Sequence, residues 1–231
     1  MGSSKYLYAG VCTQNKRSTN MDSMLLKPKR LAEGESILAV VCDGVGSLAD
    51  GGFASGIAAK MLCDWFESAY STHALGTQLA DFIRQINLSI IEQAERRNME
   101  TASTITTLLL AGSRYHVVHI GDSRVYAYER GTLSMITKDD TSPAGNLRGY
   151  IGRRQDIDLQ CYDGDSKDKT FLICSDGFHK MMDGDLLTKR LGMLKSTTKD
   201  FEKAVAKLTE SVISQGEKDN ITLALVKDVL M

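Results

Sequence analysis

Hydrophobic positions along the chain switch between two periodicities. Ile37-Leu38-Ala39-Val40-Val41-Cys42 is an apolar run too short for a typical helix and closed by Asp43-Gly44. It predicts a strand buried on both faces, with a carboxylate at the rim of the core. Phe171-Leu172-Ile173-Cys174 repeats the device and runs into Ser175-Asp176-Gly177. Between them, residues 53–70 place Ala54, Ile57, Ala58, Met61, Leu62, Trp65, Phe66 and Ala69 on one helical face. A second helix, Thr77 to Arg97, carries Leu79, Phe82, Ile83, Ile86, Ile90, Ile91 and Ala94 as its stripe, with Thr77 as N-cap. From 101 to 137 the pattern turns to short β-branched runs at 103–111, 115–120, 124–129 and 132–137. The turns between them are too short for crossovers, which predicts an antiparallel meander. Further strands are expected at 6–11, 157–162 and 170–174 and after Asp219-Asn220. Asp183 caps a short helix ending near Gly192, and Thr197 opens another that Gly216 ends. Helix pairs separated by a long meander favour an α+β layered fold over a doubly wound parallel sheet.

Five aspartates occupy related places in this pattern. Asp43 and Asp176 end strands, Asp122 stands in the tight Gly121-Asp122-Ser123 connection, and Asp22 and Asp219 precede strands. One Asp-Gly pair by itself is ordinary turn chemistry. In an antiparallel sheet, however, the C-terminal end of one strand lies beside the N-terminal end of its neighbour, so all five can share one edge. Carboxylates gathered there repel and raise one another's pKa unless cations neutralise them. Mg²⁺ or Mn²⁺ suits such a carboxylate-and-water site better than Zn²⁺ does.

Charge and composition narrow the partners. A net charge of -1, from 28 basic and 29 acidic residues, offers no bulk basic surface for nucleic acid. Cys12, Cys42, Cys63, Cys161 and Cys174 form no CxxC pair and read as small buried hydrophobes in a reducing, cytoplasmic compartment. No stretch is apolar enough to span a bilayer, and the first residues hold no signal core, so no membrane partner is expected. With only 2 prolines, no linker and no fixed-period repeat, the chain reads as a single domain over 1–231.

His73, His116, His119 and His179 lack metal-ligand spacing and read as structural. No phosphate loop followed by Lys, no nucleophile elbow and no CxxxxxR thiol is present. The strong chemistry that remains is a water activated between two ions held by shared carboxylates, which clamp a phosphoryl group for in-line attack.

Five motifs then carry a resemblance: Arg17-x-x-Asn20-x-Asp22, Val41-Cys42-Asp43-Gly44-Val45-Gly46, Gly121-Asp122-Ser123-Arg124, Cys174-Ser175-Asp176-Gly177 and Asp219-Asn220-Ile221-Thr222. In this order, over almost the whole chain, the set resembles the metal-dependent serine/threonine protein phosphatases of the protein phosphatase 2C family, in its bacterial form. The resemblance implies a four-layer αββα sandwich, two antiparallel β-sheets flanked by helix pairs, with Mn²⁺ or Mg²⁺ at one end. It implies that Asp43 and the carbonyl of Gly44 bind two core ions and that Asp176 and Asp219 complete their shells. By the same resemblance Asp122, with the Asp176 region, takes a weaker third ion, and Arg17 grips the substrate phosphate. Arg17 and Asp22 are the catalytic candidates, and Asn220 is a structural partner of Asp219. The implied reaction is hydrolysis of phosphoserine or phosphothreonine on a protein substrate of a serine/threonine kinase, by a monomer.

Three positions depart from the family pattern. Met21 stands where Glu or Gln is common, and Val45 where many eukaryotic members carry His. The segment 139–152 is short where bacterial members insert a flap. Met21 motivates an alternative, a relative that binds phosphoproteins without hydrolysing them. Two-metal cleavage of a nucleic acid is a third reading, which the balanced charge disfavours.

Overall fold

The fold is built on strand β3, Gly34–Cys42, whose side chains alternate between two cores. Leu38, Val40 and Cys42 pack under helices, whereas Ile37, Ala39 and Val41 point into a second apolar layer, the arrangement expected of a strand buried on both faces. The computed structural model describes residues 5–31, 34–48, 50–68 and 75–229. In chain order these hold β1 (Lys5–Thr13), β2 (Ser23–Leu31), β3, α1 (Gly51–Ser68), α2 (Leu75–Arg96), β4 (Ile105–Ala111), β5 (Arg114–Ile120), β6 (Arg124–Glu129) and β7 (Thr132–Met135). There follow β8 (Gln160–Asp165), β9 (Thr170–Cys174), α3 (Asp176–His179), α4 (Gly184–Gly192), α5 (Thr198–Ser214) and β10 (Ile221–Val229).

Two five-stranded antiparallel sheets result, one ordered β1-β10-β9-β6-β7 and the other β2-β3-β4-β5-β8. Alternation along the strands explains the layering. Phe171 and Ile173 of β9 and Ala224 and Val226 of β10 meet Ile37, Val41, Leu108 and Val117 between the sheets. Leu172, Cys174, Leu223 and Leu225 face outward onto Phe201, Val205, Leu208 and Val212 of α5. On the opposite flank, α1 and α2 bury Ala54, Ala58, Leu62, Phe66, Ile83, Ile86 and Ile90 against the other sheet. The order is helices, sheet, sheet, helices, as the resemblance implies.

The registers bring the aspartates to one end. Ser23 pairs with Cys42, so Asp22 and Asp43 lie side by side. Arg124 pairs with Cys174, which sets the Asp122 turn beside Asp176. Thr13 pairs with Ile221, which sets the loop carrying Arg17 beside Asp219.

Several expectations are corrected. The four runs from 103 to 137 do not form one meander: β4 and β5 pair in one sheet, β6 and β7 in the other. Gly121-Asp122-Ser123, with Gly121 at φ +126°, carries the chain between sheets instead of closing a hairpin. A short link constrains two strands to be near, not to pair, and β6 finds a better partner in the distant β9. Thr77 is the third residue of α2, not its cap, and the expected helical positions Ala69 and Tyr70 lie outside the described residues. The strand expected at 157–162 forms at Gln160–Asp165. Asp183 and Thr197 do cap their helices, accepting from the amides of Leu186 and Asp200. Cys42 and Cys174 are buried as expected, but Cys161 is exposed on the edge strand β8, and all five cysteines are free. Among the described residues no helix is long and apolar enough to cross a membrane.

Candidate metal centre

Both Asp-Gly pairs owe their glycines to close backbone approach and not to turn conformation, since neither Gly44 nor Gly177 has a positive φ. A Cβ on Gly44 would stand 2.6 Å from the Gly51 backbone and from the Met21 carbonyl. One on Gly177 would stand 2.1 Å from the carbonyl oxygen of Asn220. These contacts press the ends of β3 and β9 against the start of α1 and of β10. Gly51 and Gly52 begin α1, and Gly51 is the surface that Gly44 packs on.

The result is a cavity of about 400 Å³ lined by Arg17, Met21, Asp43, Gly44, Asp122, Asp176, Lys180 and Asp219 among others. Carboxylate oxygens of Asp43, Asp122 and Asp176 all lie within 4.8 Å of one another. These are three hard oxygen donors from separate elements, the donor chemistry that Mg²⁺ or Mn²⁺ requires. Asp219 lines the same cavity, but its carboxylate is bonded bidentately by Arg17, Nε to Oδ1 at 2.7 Å and Nη2 to Oδ2 at 2.6 Å. Asp22 lies behind the cavity, buried, and accepts from the Thr222 hydroxyl at 2.6 Å.

Burial and mutual repulsion govern the charges. Asp43 is pushed well above the carboxylate range, first by burial and then by Asp22 and Asp176. Asp122 is pushed up to about 6, mainly by burial with a contribution from Asp176. Asp22 likewise reaches about 6 through burial, against hydrogen bonds from Thr222 and Ser175. Asp176, by contrast, falls below its ordinary value: burial would raise it, but bonds from Lys180 and Asp43 outweigh that. Burial and repulsion oppose full ionisation of such a cluster, and cations remove the conflict.

Residues outside the five motifs hold the carboxylates in place. The Thr104 hydroxyl accepts from the Asp43 amide at 3.0 Å, and the Thr104 amide donates to the Asp43 carbonyl at 2.8 Å. Ser103 donates to that carbonyl at 3.0 Å. His179, whose pKa is lowered mainly by burial, bonds the Asp122 carbonyl through Nε2 at 2.8 Å. Asn220 fixes the Arg17 loop by donating to the carbonyls of Gln14 and Thr19 and accepting from the Met21 amide. Met21 itself lines the cavity, and its carbonyl accepts from the Gly44 amide and the Ser55 hydroxyl. Lys180, which sequence reasoning passed over, bonds Asp176 at 2.5 Å; the i,i+4 spacing of Asp176 and Lys180 was its only signal.

The protein phosphatase 2C family profile matches residues 13–225 of the chain. The chain belongs to the protein phosphatase 2C family. It is 30% identical over 220 residues to the serine/threonine phosphatase stp of Listeria welshimeri, covering 84% of this chain and 85% of that one. The catalytic domain of the serine/threonine protein phosphatase PstP, solved with two manganese ions, superposes with a TM-score of 0.82 at 26% identity, covering 97% and 98% of the two chains. The phosphatase Stp1 of Staphylococcus aureus shares the fold with a TM-score of 0.86 at 19% identity, over 98% and 97%. The protein phosphatase 2C sandwich and its acidic end thus coincide in this chain.

Proposed function

We infer that this protein is a metal-dependent phosphatase that hydrolyses phosphoserine and phosphothreonine on proteins. The observation that carries the reading is the convergence of Asp43, Asp122 and Asp176 within 4.8 Å, facing Arg17 across one cavity. Asp43, the carbonyl of Gly44, Asp176 and Asp219 are the residues proposed to hold two Mn²⁺ or Mg²⁺ ions, with Asp122 beside them. Bound there, the ions supply an activated water and positive charge opposite the phosphoryl oxygens. The protein's own groups do the rest. Arg17, released from Asp219, presents a planar pair of N–H donors to the phosphate. Asp22 bonds Thr222 and adds negative potential behind Asp43, favouring cation uptake. Asn220 and Asn15 keep the Arg17 loop docked on the 217–220 loop, so the guanidinium stays over the cavity.

The segment 139–152 folds back on itself through Thr141 and Leu147, and Gly145, Asn146 and Leu147 reach the cavity rim. We take this as the reduced flap of a single catalytic domain, leaving the rim open to an extended phosphopeptide presented by a folded protein. Five free cysteines and no basic bulk charge support a reducing, cytoplasmic setting and a protein rather than nucleic-acid partner. Phosphopeptide hydrolysis with Mn²⁺, and its loss in EDTA, tests the reading. Full turnover in EDTA would exclude it, and tight phosphopeptide binding without turnover in Mn²⁺ would favour the non-hydrolysing alternative that Met21 motivates.

A further inference from the structure

Five carboxylates converge at this end of the sandwich, and two cationic side chains line the cavity they surround, Arg17 and Lys180. Each bonds one of the carboxylates directly. Arg17 is committed to Asp219 through both branches of its guanidinium. Lys180 lies on the other side, its ammonium 2.5 Å from Oδ2 of Asp176, and its charge also reaches Asp122 and Asp43.

We propose that Lys180 is a tethered monovalent cation of the metal centre, holding the Asp122–Asp176 edge so that a divalent ion entering that edge must displace it. This rests on the reading of the cluster as a divalent metal centre and says which part of it loads poorly. The placement follows from the local chain. Asp176 opens the four-residue helix α3 at the end of β9, and Lys180 follows one turn later as its C-cap. Spacing of i,i+4 therefore points both side chains the same way, into the cavity. An ordinary exposed helix pair of this spacing contributes little. Here the carboxylate partner is only 17% exposed and has two more carboxylates within 4.8 Å, so the single ammonium offsets repulsion that solvent screens less than at an exposed pair. The lysine stem, 58% exposed, leaves the head free to leave when a stronger cation arrives. The consequence is a built-in threshold: a divalent ion at the Asp43–Asp219 side meets the Lys180 charge only from a distance, whereas one at the Asp122–Asp176 side competes with the ammonium for the same carboxylate.

The experiment compares Mn²⁺ binding isotherms of the wild type, Lys180→Met and Lys180→Arg by calorimetry, beside melting temperatures of the metal-free proteins. Lys180→Met should bind Mn²⁺ at one additional site, or tighten the weakest observed site by roughly tenfold, equivalent to about 1.4 kcal/mol. Its metal-free form should melt lower than the wild type, because the edge has lost its counter-charge. Lys180→Arg keeps the charge and should reproduce the wild-type isotherm, which a purely steric role for the lysine would not require. Superimposable isotherms for wild type and Lys180→Met, with Mn²⁺ bound by both, overturn the proposal and leave the metal centre standing. Absence of Mn²⁺ binding in all three proteins overturns the metal reading and the proposal with it.

Discussion

At the residue scale the site is organised by which charge each group is paired with before substrate arrives. Arg17 grips Asp219 with two short bonds, so the side chain expected to hold phosphate and a carboxylate expected to hold metal mask one another. Arg17→Ala should raise KM for a phosphopeptide on the order of tenfold, the loss of one charge-assisted bidentate contact. It should leave Mn²⁺ affinity unchanged or improved, because Asp219 is freed. Unchanged KM in steady-state assays would return Arg17 to a surface role. His119 shows a different pairing. It is fully buried, bonds Thr106 at 2.8 Å, and its pKa is lowered chiefly by burial, with Asp140 partly opposing. The folded state therefore resists the proton that the unfolded chain accepts near 6.5, and stability from this residue is lost as pH falls through 6.5 towards the lower folded value. The melting-temperature advantage of wild type over His119→Gln should shrink between pH 7.5 and 5.5. A constant difference across that range would show that His119 contributes only its hydrogen bond.

At the scale of elements, legibility followed how local the signal was. β3 and β9 were readable because an apolar run closed by Asp-Gly is a local pattern, and both begin or end within a few residues of expectation. The partners of those strands were not, since β6 joins β9 across a separation that no periodicity records. For the same reason Asp122 was placed in a hairpin turn when it sits at the corner where the chain changes sheets. No hydrophobic period announces α3, which spans only Asp176–His179, and Lys180 was overlooked with it. The role of Gly177 was equally invisible, because turn glycines and close-packed glycines have the same letter. Gly177→Ala makes the difference measurable. The added Cβ would meet the Asn220 carbonyl at 2.1 Å, a backbone atom that cannot rotate away. It should force α3 from the start of β10, costing about 1 to 3 kcal/mol of stability and separating Asp176 from Asp219. Mn²⁺ titration should show weaker binding beside the lowered melting temperature; wild-type values of both would mean that the backbone yields without effect.

For the molecule as a whole, the cluster is a joint between its two halves. Asp43 directly follows β3 of one sheet, Asp176 follows β9 of the other, and Asp122 stands on the chain that passes between them. The metal-free cluster works against this joint, because burial and repulsion hold Asp43 and Asp122 above their ordinary pKa while apolar contacts between the sheets keep them together. Divalent ions should reverse the sign of that contribution, and since the groups proposed to hold them come from both sheets, the gain should belong to the global unfolding transition and not to one loop. Mass action sets its size: Mn²⁺ at about 100 times its dissociation constant adds about 2.7 kcal/mol for one site. For a chain of this length that corresponds to a rise of roughly 5 to 10 °C in melting temperature. Chelation should remove the rise, and Asp176→Asn should remove most of it at the same Mn²⁺ concentration while the metal-free variant keeps a cooperative transition, because Asp176 stands at the cavity and outside the three apolar cores. Scanning calorimetry at several Mn²⁺ concentrations checks this directly. A melting temperature indifferent to Mn²⁺, or one that rises equally in Asp176→Asn, would mean that the carboxylates do not bridge the sheets through a shared ion.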